Sequence, residues 1–163
     1  MRVALKRKGD YSVRAVLDLA THWQRGRRKA REIATTMDVP ERYLGQILAN
    51  LVRHGLLVAV AGPGGGYVLS RRPDEVSLLD VVEAAEGPVQ LDECVLKGGP
   101  CDWVGTCAMH EAWSRAQAAF VTQLRETTFA DLAAIDAAIE AGSYEAPTNA
   151  PEHAVKTERR GRR

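Results

Sequence analysis

Residues 41–69 read ERYLGQILANLVRHGLLVAVAGPGGGYVL, and the periodicity changes midway. From 41 to 54, Leu44, Ile47, Leu48 and Leu51 recur at helical spacing and form one apolar stripe. Gly55 is placed to end that helix. Leu56 to Val60 is then a continuous β-prone run. Gly62-Pro63-Gly64-Gly65-Gly66 makes a tight connection, and Tyr67-Val68-Leu69 reads as a second strand.

Working outward, residues 11–23 predict a helix with Val13, Val16, Leu17, Ala20 and Trp23 inward. Arg25 to Lys29 is a polar break, and 30–37 a short helix with Ile33, Ala34 and Met37 buried. Pro40 suits the first turn of the next helix. Three short helices and a hairpin make a winged helix-turn-helix arrangement. Downstream, Ser77 with Asp80 caps a helix that runs to about Glu86 and stops at Gly87-Pro88. A Gly/Pro-rich cysteine loop follows. A long helix is expected from Ala108 to Glu126, with Trp113, Ala116, Phe120 and Leu124 on one face. Thr128 and Asp131 resemble another cap, and Leu132, Ile135 and Ile139 continue the apolar stripe. The division expected is 1–75 for the winged helix-turn-helix domain, 76–141 for the cysteine loop and later helices, and 142–163 for a disordered tail.

The 163 residues are 45% hydrophobic and 26% charged, the profile of one globular domain with a real core. No apolar run is long enough for a transmembrane helix, and the N-terminus lacks the features of a secretory signal, so no membrane partner and a cytoplasmic location are expected. The net charge of +1 conceals an asymmetry. Residues 1–72 carry 14 Lys and Arg against 5 Asp and Glu, whereas residues 73–145 carry 3 against 14. A basic N-terminal half suits a polyanion.

The outer face of helix 41–54 carries Arg42, Gln46, Asn50 and Arg53, with Tyr43 beside them. Arg matches the guanine acceptors, and Gln or Asn matches the donor–acceptor pair of adenine. The alternative is an ordinary polar helix face. Lys6, Arg7, Lys8, Arg27, Arg28, Lys29, Arg71 and Arg72 are candidate phosphate contacts. The glycine loop joins strand to strand and no Lys-Ser/Thr pair follows it, which argues against a nucleotide-binding loop. A wing tip at Gly64 and Gly65 lying against the DNA backbone or minor groove fits better than a bare hairpin turn.

Three cysteines, Cys94, Cys101 and Cys107, are spaced C-x6-C-x5-C, with His110 following. An odd, clustered set excludes a disulfide framework and points to metal or redox chemistry. Soft thiolates favour an iron–sulfur cluster or zinc, and the wide spacing tilts toward a cluster. A thiol redox enzyme is disfavoured, because there is no C-x-x-C and no catalytic His/carboxylate constellation beside the thiols.

Lys8-Gly9-Asp10-Tyr11-Ser12-Val13-Arg14-Ala15, the wing Gly62–Tyr67 and the cysteine trio occur together and in order. Over about residues 1–141 the chain thereby resembles the Rrf2 family of bacterial winged-helix regulators, which includes IscR, NsrR and RirA. The resemblance implies a mainly α fold, a winged helix-turn-helix domain with a β-hairpin wing plus a long C-terminal dimerisation helix. It implies a homodimer on a double-stranded DNA operator and a cluster, 2Fe–2S or 4Fe–4S, held by Cys94, Cys101 and Cys107. For the fourth ligand it leaves two candidates. His110 stands where some members ligate through histidine. Asp10 stands where others supply a carboxylate from the N-terminal helix of the other subunit, which would tie the cluster to the partner's DNA-binding domain. Without a ligand role, His110 is a first-turn residue of the long helix and Asp10 the N-cap of helix 11–23.

Three departures bear on operator choice: the x6 first gap, Ala61 before the glycines, and Gly45 where some members place a glutamate. The function expected is a transcriptional repressor, not an enzyme, whose operator affinity follows a cluster sensing nitric oxide, oxidants or iron loss. The rivals are a zinc-stabilised winged-helix protein without sensing and a protein–protein adaptor.

Overall fold

The computed structural model describes residues 4–89, 94, 99, 102–103 and 105–145. In chain order they form α1 (Arg7–Thr21), α2 (Ala30–Met37), α3 (Glu41–Arg53), β1 (Leu57–Val60), β2 (Gly66–Leu69), a 3-10 turn (Pro73–Glu75), α4 (Leu78–Glu86), α5 (Ala108–Glu126) and α6 (Phe129–Glu140). Helices α1 to α3 followed by the hairpin are the winged helix-turn-helix expected. Residues 146–163 of the tail expected over 142–163, and Cys101, lie outside the described residues.

The inward residues of α2 and α3 are those the spacing predicts: Ile33, Ala34, Met37, Leu44, Ile47, Leu48 and Leu51 are all buried. Helix α1 corrects its expectation. It begins at Arg7, because the Asp10 N–H donates to the Lys6 carbonyl (3.0 Å) and the Lys6 N–H donates to the Glu86 carboxylate (2.6 Å). That carboxylate satisfies a helix-start donor from eighty residues away, where local sequence offers no cap. Asp10 therefore lies inside the first turn and is not an N-cap. The buried stripe of α1 is Ala15, Val16, Leu19 and Ala20, while Val13, Leu17 and Trp23 pack half-buried at its edges.

The core runs on past residue 75: Val76, Val81, Ala84 and Phe129 join the same buried cluster as Leu44 and Leu48. Two backbone bonds pin the α5–α6 joint to the start of α4, Leu78 N–H to Thr127 (2.8 Å) and Phe129 N–H to Val76 (2.9 Å). Phe129 is fully buried there. Capping boxes at Ser77/Asp80 and Thr128/Asp131 start α4 and α6, as their sequences predict.

Strands β1 and β2 are antiparallel, with Leu57 opposite Leu69 and Val60 opposite Gly66. The backbone of Arg28 forms a further antiparallel bridge to β2 by exchanging bonds with Tyr67 (3.0 and 2.8 Å). This explains the glycines. A Cβ on Gly65 would collide with the Val60 carbonyl, and one on Gly66 would stand 2.7 Å from the Arg28 carbonyl. Among the described residues, no helix is long and apolar enough to cross a membrane.

Candidate nucleic-acid interface and thiolate loop

Burying Leu44, Ile47, Leu48 and Leu51 turns Arg42, Gly45, Gln46, Ala49 and Arg53 outward. These positions follow i, i+3 and i+4 steps along one face. Arg42 is stacked on Tyr43, its guanidinium carbon 4.8 Å from the ring centroid. Tyr43 in turn packs on Tyr11 of α1, with centroids 6.0 Å apart. A cation–π contact at an exposed site holds the guanidinium and leaves its edge available.

Asn50 does not stand with them. It is 5% exposed, and its Nδ2 donates to the Ala84 carbonyl of α4 (2.6 Å). Three residues after buried Ile47, it falls on the inner side of the helix. Its Oδ1 accepts from Arg53 (3.2 Å), so the amide ties α3 to α4 and steadies Arg53. The expectation that Asn50 reads a base is corrected on this geometry.

The basic residues also divide. Lys6, Arg7, Lys8, Arg27 and Lys29 are exposed. Arg28 is not available as a phosphate contact. Its Nε and Nη2 donate to the two oxygens of Asp18 (2.8 and 2.9 Å), and Nη2 also donates to Thr36 Oγ1 (2.9 Å). Asp18 is fully buried. The hydrogen bond to Asp18 raises the Arg28 pKa against the desolvation that opposes it. Arg71 pairs with Asp80 and Arg72 with Asp74. At the wing, Gly64 is exposed, while the Gly65 N–H is spent on the Gly62 carbonyl (2.9 Å). The contact expected of Gly65 becomes a role in shaping the turn.

Around the thiols, Cys94 and Cys107 are half-buried. The Cys94 N–H donates to Gly99 (2.7 Å), and the Cys107 N–H to Trp103 (3.1 Å). Cys107 is the N-cap residue of α5, and the His110 N–H donates to its carbonyl (3.1 Å). Residues 107 and 110 therefore meet at the first turn of α5. Asp10 sits on α1, its Oδ1 accepting from Arg14 Nε (2.9 Å). Arg14 also donates to the Met37 carbonyl at the end of α2 (3.2 Å). Among the described residues, no three His, Cys, Asp or Glu side chains form a metal-holding group. The donor chemistry nonetheless fits a soft metal centre: two described thiols, the Cys101 thiol outside the described residues, and an imidazole and a carboxylate as candidate fourth ligands.

The sequence reading missed the buried Asp18–Arg28 pair. Its signal was a carboxylate between Leu17 and Leu19 on an inward-facing helix, which demands a cation. It also left His22 and His54 unassigned. They are the C-cap residues of α1 and α3, each ring Nδ1 2.8 Å from the carbonyl four residues back.

A helix with an exposed Arg/Gln face followed by a glycine-tipped wing is the arrangement of a winged-helix DNA-binding protein. The family model for Rrf2, the iron-dependent transcriptional regulators, matches residues 5–135, and the chain belongs to that family. Over 128 residues it is 34% identical to the HTH-type transcriptional regulator IscR of Sodalis glossinidius, covering 78% of this chain and 77% of that one. Among solved structures it is similar to CymR, the global cysteine regulator of B. subtilis. That match has a TM-score of 0.71 and 31% identity, and covers 82% of this chain and 98% of the other. T. potens IscR matches with a TM-score of 0.65 and 29% identity, covering 88% and 94%.

Proposed function

We propose that this regulator is a homodimeric repressor whose operator affinity is set by an iron–sulfur cluster held by Cys94, Cys101 and Cys107, with Asp10 of the partner subunit or His110 completing the set. The observation that carries the reading is the place of Cys107. It caps α5, so the thiolate loop and the long helix share a joint. Bound there, a cluster supplies iron reactive toward nitric oxide and oxidants. Thiolates drawn to one centre would fix the loop against the N-terminus of α5, and α5 carries the dimer contact. The spacing of the two α3 helices would then depend on the loop, as a coupling free energy between the two sites. Arg42, Gln46 and Arg53, with Tyr43 bracing Arg42, read the major groove. Lys6, Lys8 and the tip at Gly64 hold the phosphate backbone, with half-sites about one helical turn apart. A cytoplasmic protein with no membrane partner fits this role.

The support for an iron–sulfur reading is the thiolate set together with similarity to IscR proteins; the same donors also suit structural zinc. The experiment is anaerobic purification with iron, sulfide and zinc counted per monomer and an absorption spectrum. Matched iron and sulfide with visible charge-transfer bands is the expected result. The second step is operator binding by wild type and Cys101→Ala, with and without nitric oxide. Stoichiometric zinc without colour would remove the sensing mechanism. Equal operator affinity for holo-protein and the cysteine variant would sink the coupling.

A further inference from the structure

Behind the wing lies a cleft of about 370 Å³ between the end of α1, the loop ahead of α2, and β2. The volume falls within the range of small-ligand pockets. Leu19 and Leu69 form its buried apolar floor, Trp23 and Val68 its half-buried wall. Three polar side chains join them, His22, Gln24 and Arg27. The His22 Nδ1 is 2.8 Å from the Asp18 carbonyl, which only accepts, so Nδ1 donates there and the ring is held at the edge of the cleft.

Arg27 differs from its neighbours. Arg28 is fully engaged by Asp18 and Thr36. Arg72, in a second cleft on the other side of Trp23, is locked to both oxygens of Asp74 (2.9 and 2.8 Å). Among the described residues, Arg27 makes one hydrogen bond, from Nη1 to the Gly64 carbonyl at 3.4 Å, long for such a bond. It is an exposed guanidinium at the edge of an indole-walled apolar cleft, held only weakly to the wing tip.

We infer that this cleft binds a small apolar carboxylate, an aromatic or branched-chain acid. Its body packs on Trp23 and Leu69, and its carboxylate takes the Arg27 fork. A charge-assisted, bidentate pair outcompetes one long bond to a neutral carbonyl. Binding therefore withdraws Arg27 from Gly64. The wing root stays pinned, since the Arg28–Tyr67 backbone bonds do not involve the Arg27 side chain. Only the tip is released, and operator affinity falls; this half of the inference rests on the DNA-binding reading.

The test titrates the 15N-labelled full-length protein with phenylacetate, and in parallel with phenylacetamide, which has the same body without the charge. Saturable shifts are expected at the Trp23 indole N–H and at the Gly64 and Gly65 amides. About tenfold weaker binding is expected for phenylacetamide, and for phenylacetate with Arg27→Gln. Val68→Phe, which fills the cleft and suits a strand, should abolish the shifts while its thermal melt shows a folded protein. No saturation by about 10 mM phenylacetate would overturn the site, as would equal binding of acid and amide. A duplex selected in vitro by the protein supplies the second arm. Phenylacetate should weaken its binding to wild type and not to Arg27→Gln. Saturable shifts with unchanged duplex affinity would overturn the wing coupling. Failure of the free protein to bind any selected duplex would instead overturn the DNA-binding reading, while the amide shifts still report the cleft.

Discussion

Asp18 has no exposed surface, and its charge is met by two short bonds from Arg28. Removing one partner of such a pair strands the other charge. Arg28→Met should therefore lower unfolding free energy by about 3–5 kcal/mol in urea titration. Asp18→Leu combined with Arg28→Met should recover most of it, because the penalty is an unpaired buried ion. At Asp131 the effect is one of pH. Its pKa is lowered by hydrogen bonds from the Thr128 hydroxyl and backbone N–H. A depressed folded-state pKa contributes stability above the ordinary carboxylate value, lost as pH falls through the folded one. Thr128→Ala should flatten that acid limb of the urea midpoint, with a cap loss of about 1 kcal/mol at neutral pH. The sequence showed the Thr128–Asp131 box because its parts lie three residues apart. It could show that Asp18 needs a cation but not which arginine among 25, 27 and 28 supplies it.

Helix α3 separates reading from holding. Arg42 and Gln46 face solvent and Asn50 faces α4, although all three fall four residues apart. Arg42→Ala and Gln46→Ala should each cost about 1–3 kcal/mol of operator affinity at fixed salt, relax one base preference, and leave the melt unchanged. Asn50→Ala should do the reverse in the same two assays, lowering stability by about 1–3 kcal/mol through the orphaned Ala84 carbonyl. An Asn50→Ala protein of wild-type stability with altered base preference would contradict its assignment as a tie. The stripe of α3 was legible from the spacing of Leu44, Ile47, Leu48 and Leu51. Asn50 was not, because a residue at the border of two faces is assigned by what packs there, and α4 arrives from 34 residues downstream.

Across the whole molecule, α5 is left largely uncovered by the described residues. Of its 19 residues only Val121 is buried, and Met109 and Phe120 are 48% and 43% exposed. With Trp113 and Leu124 they form an apolar face on a helix roughly 28 Å long. A second copy is the occupant the proposed dimer requires. Phe120→Arg should convert a sedimenting dimer to monomer while the melting of the α1–α4 core persists. Dimers surviving that change would place the interface elsewhere.

Local sequence by itself determined the three helices, the wing, both capping boxes and the bounds of α2 and α5. Helical period, strand alternation and capping act over a few residues, and each is written in the residues it joins. Only the tertiary structure decided the start of α1, the inward turn of Asn50, the burial of Asp18 with Arg28, and the fit of Gly66 against Arg28. Each of these depends on a partner brought near by the fold, and contact at long sequence separation leaves no period in the chain.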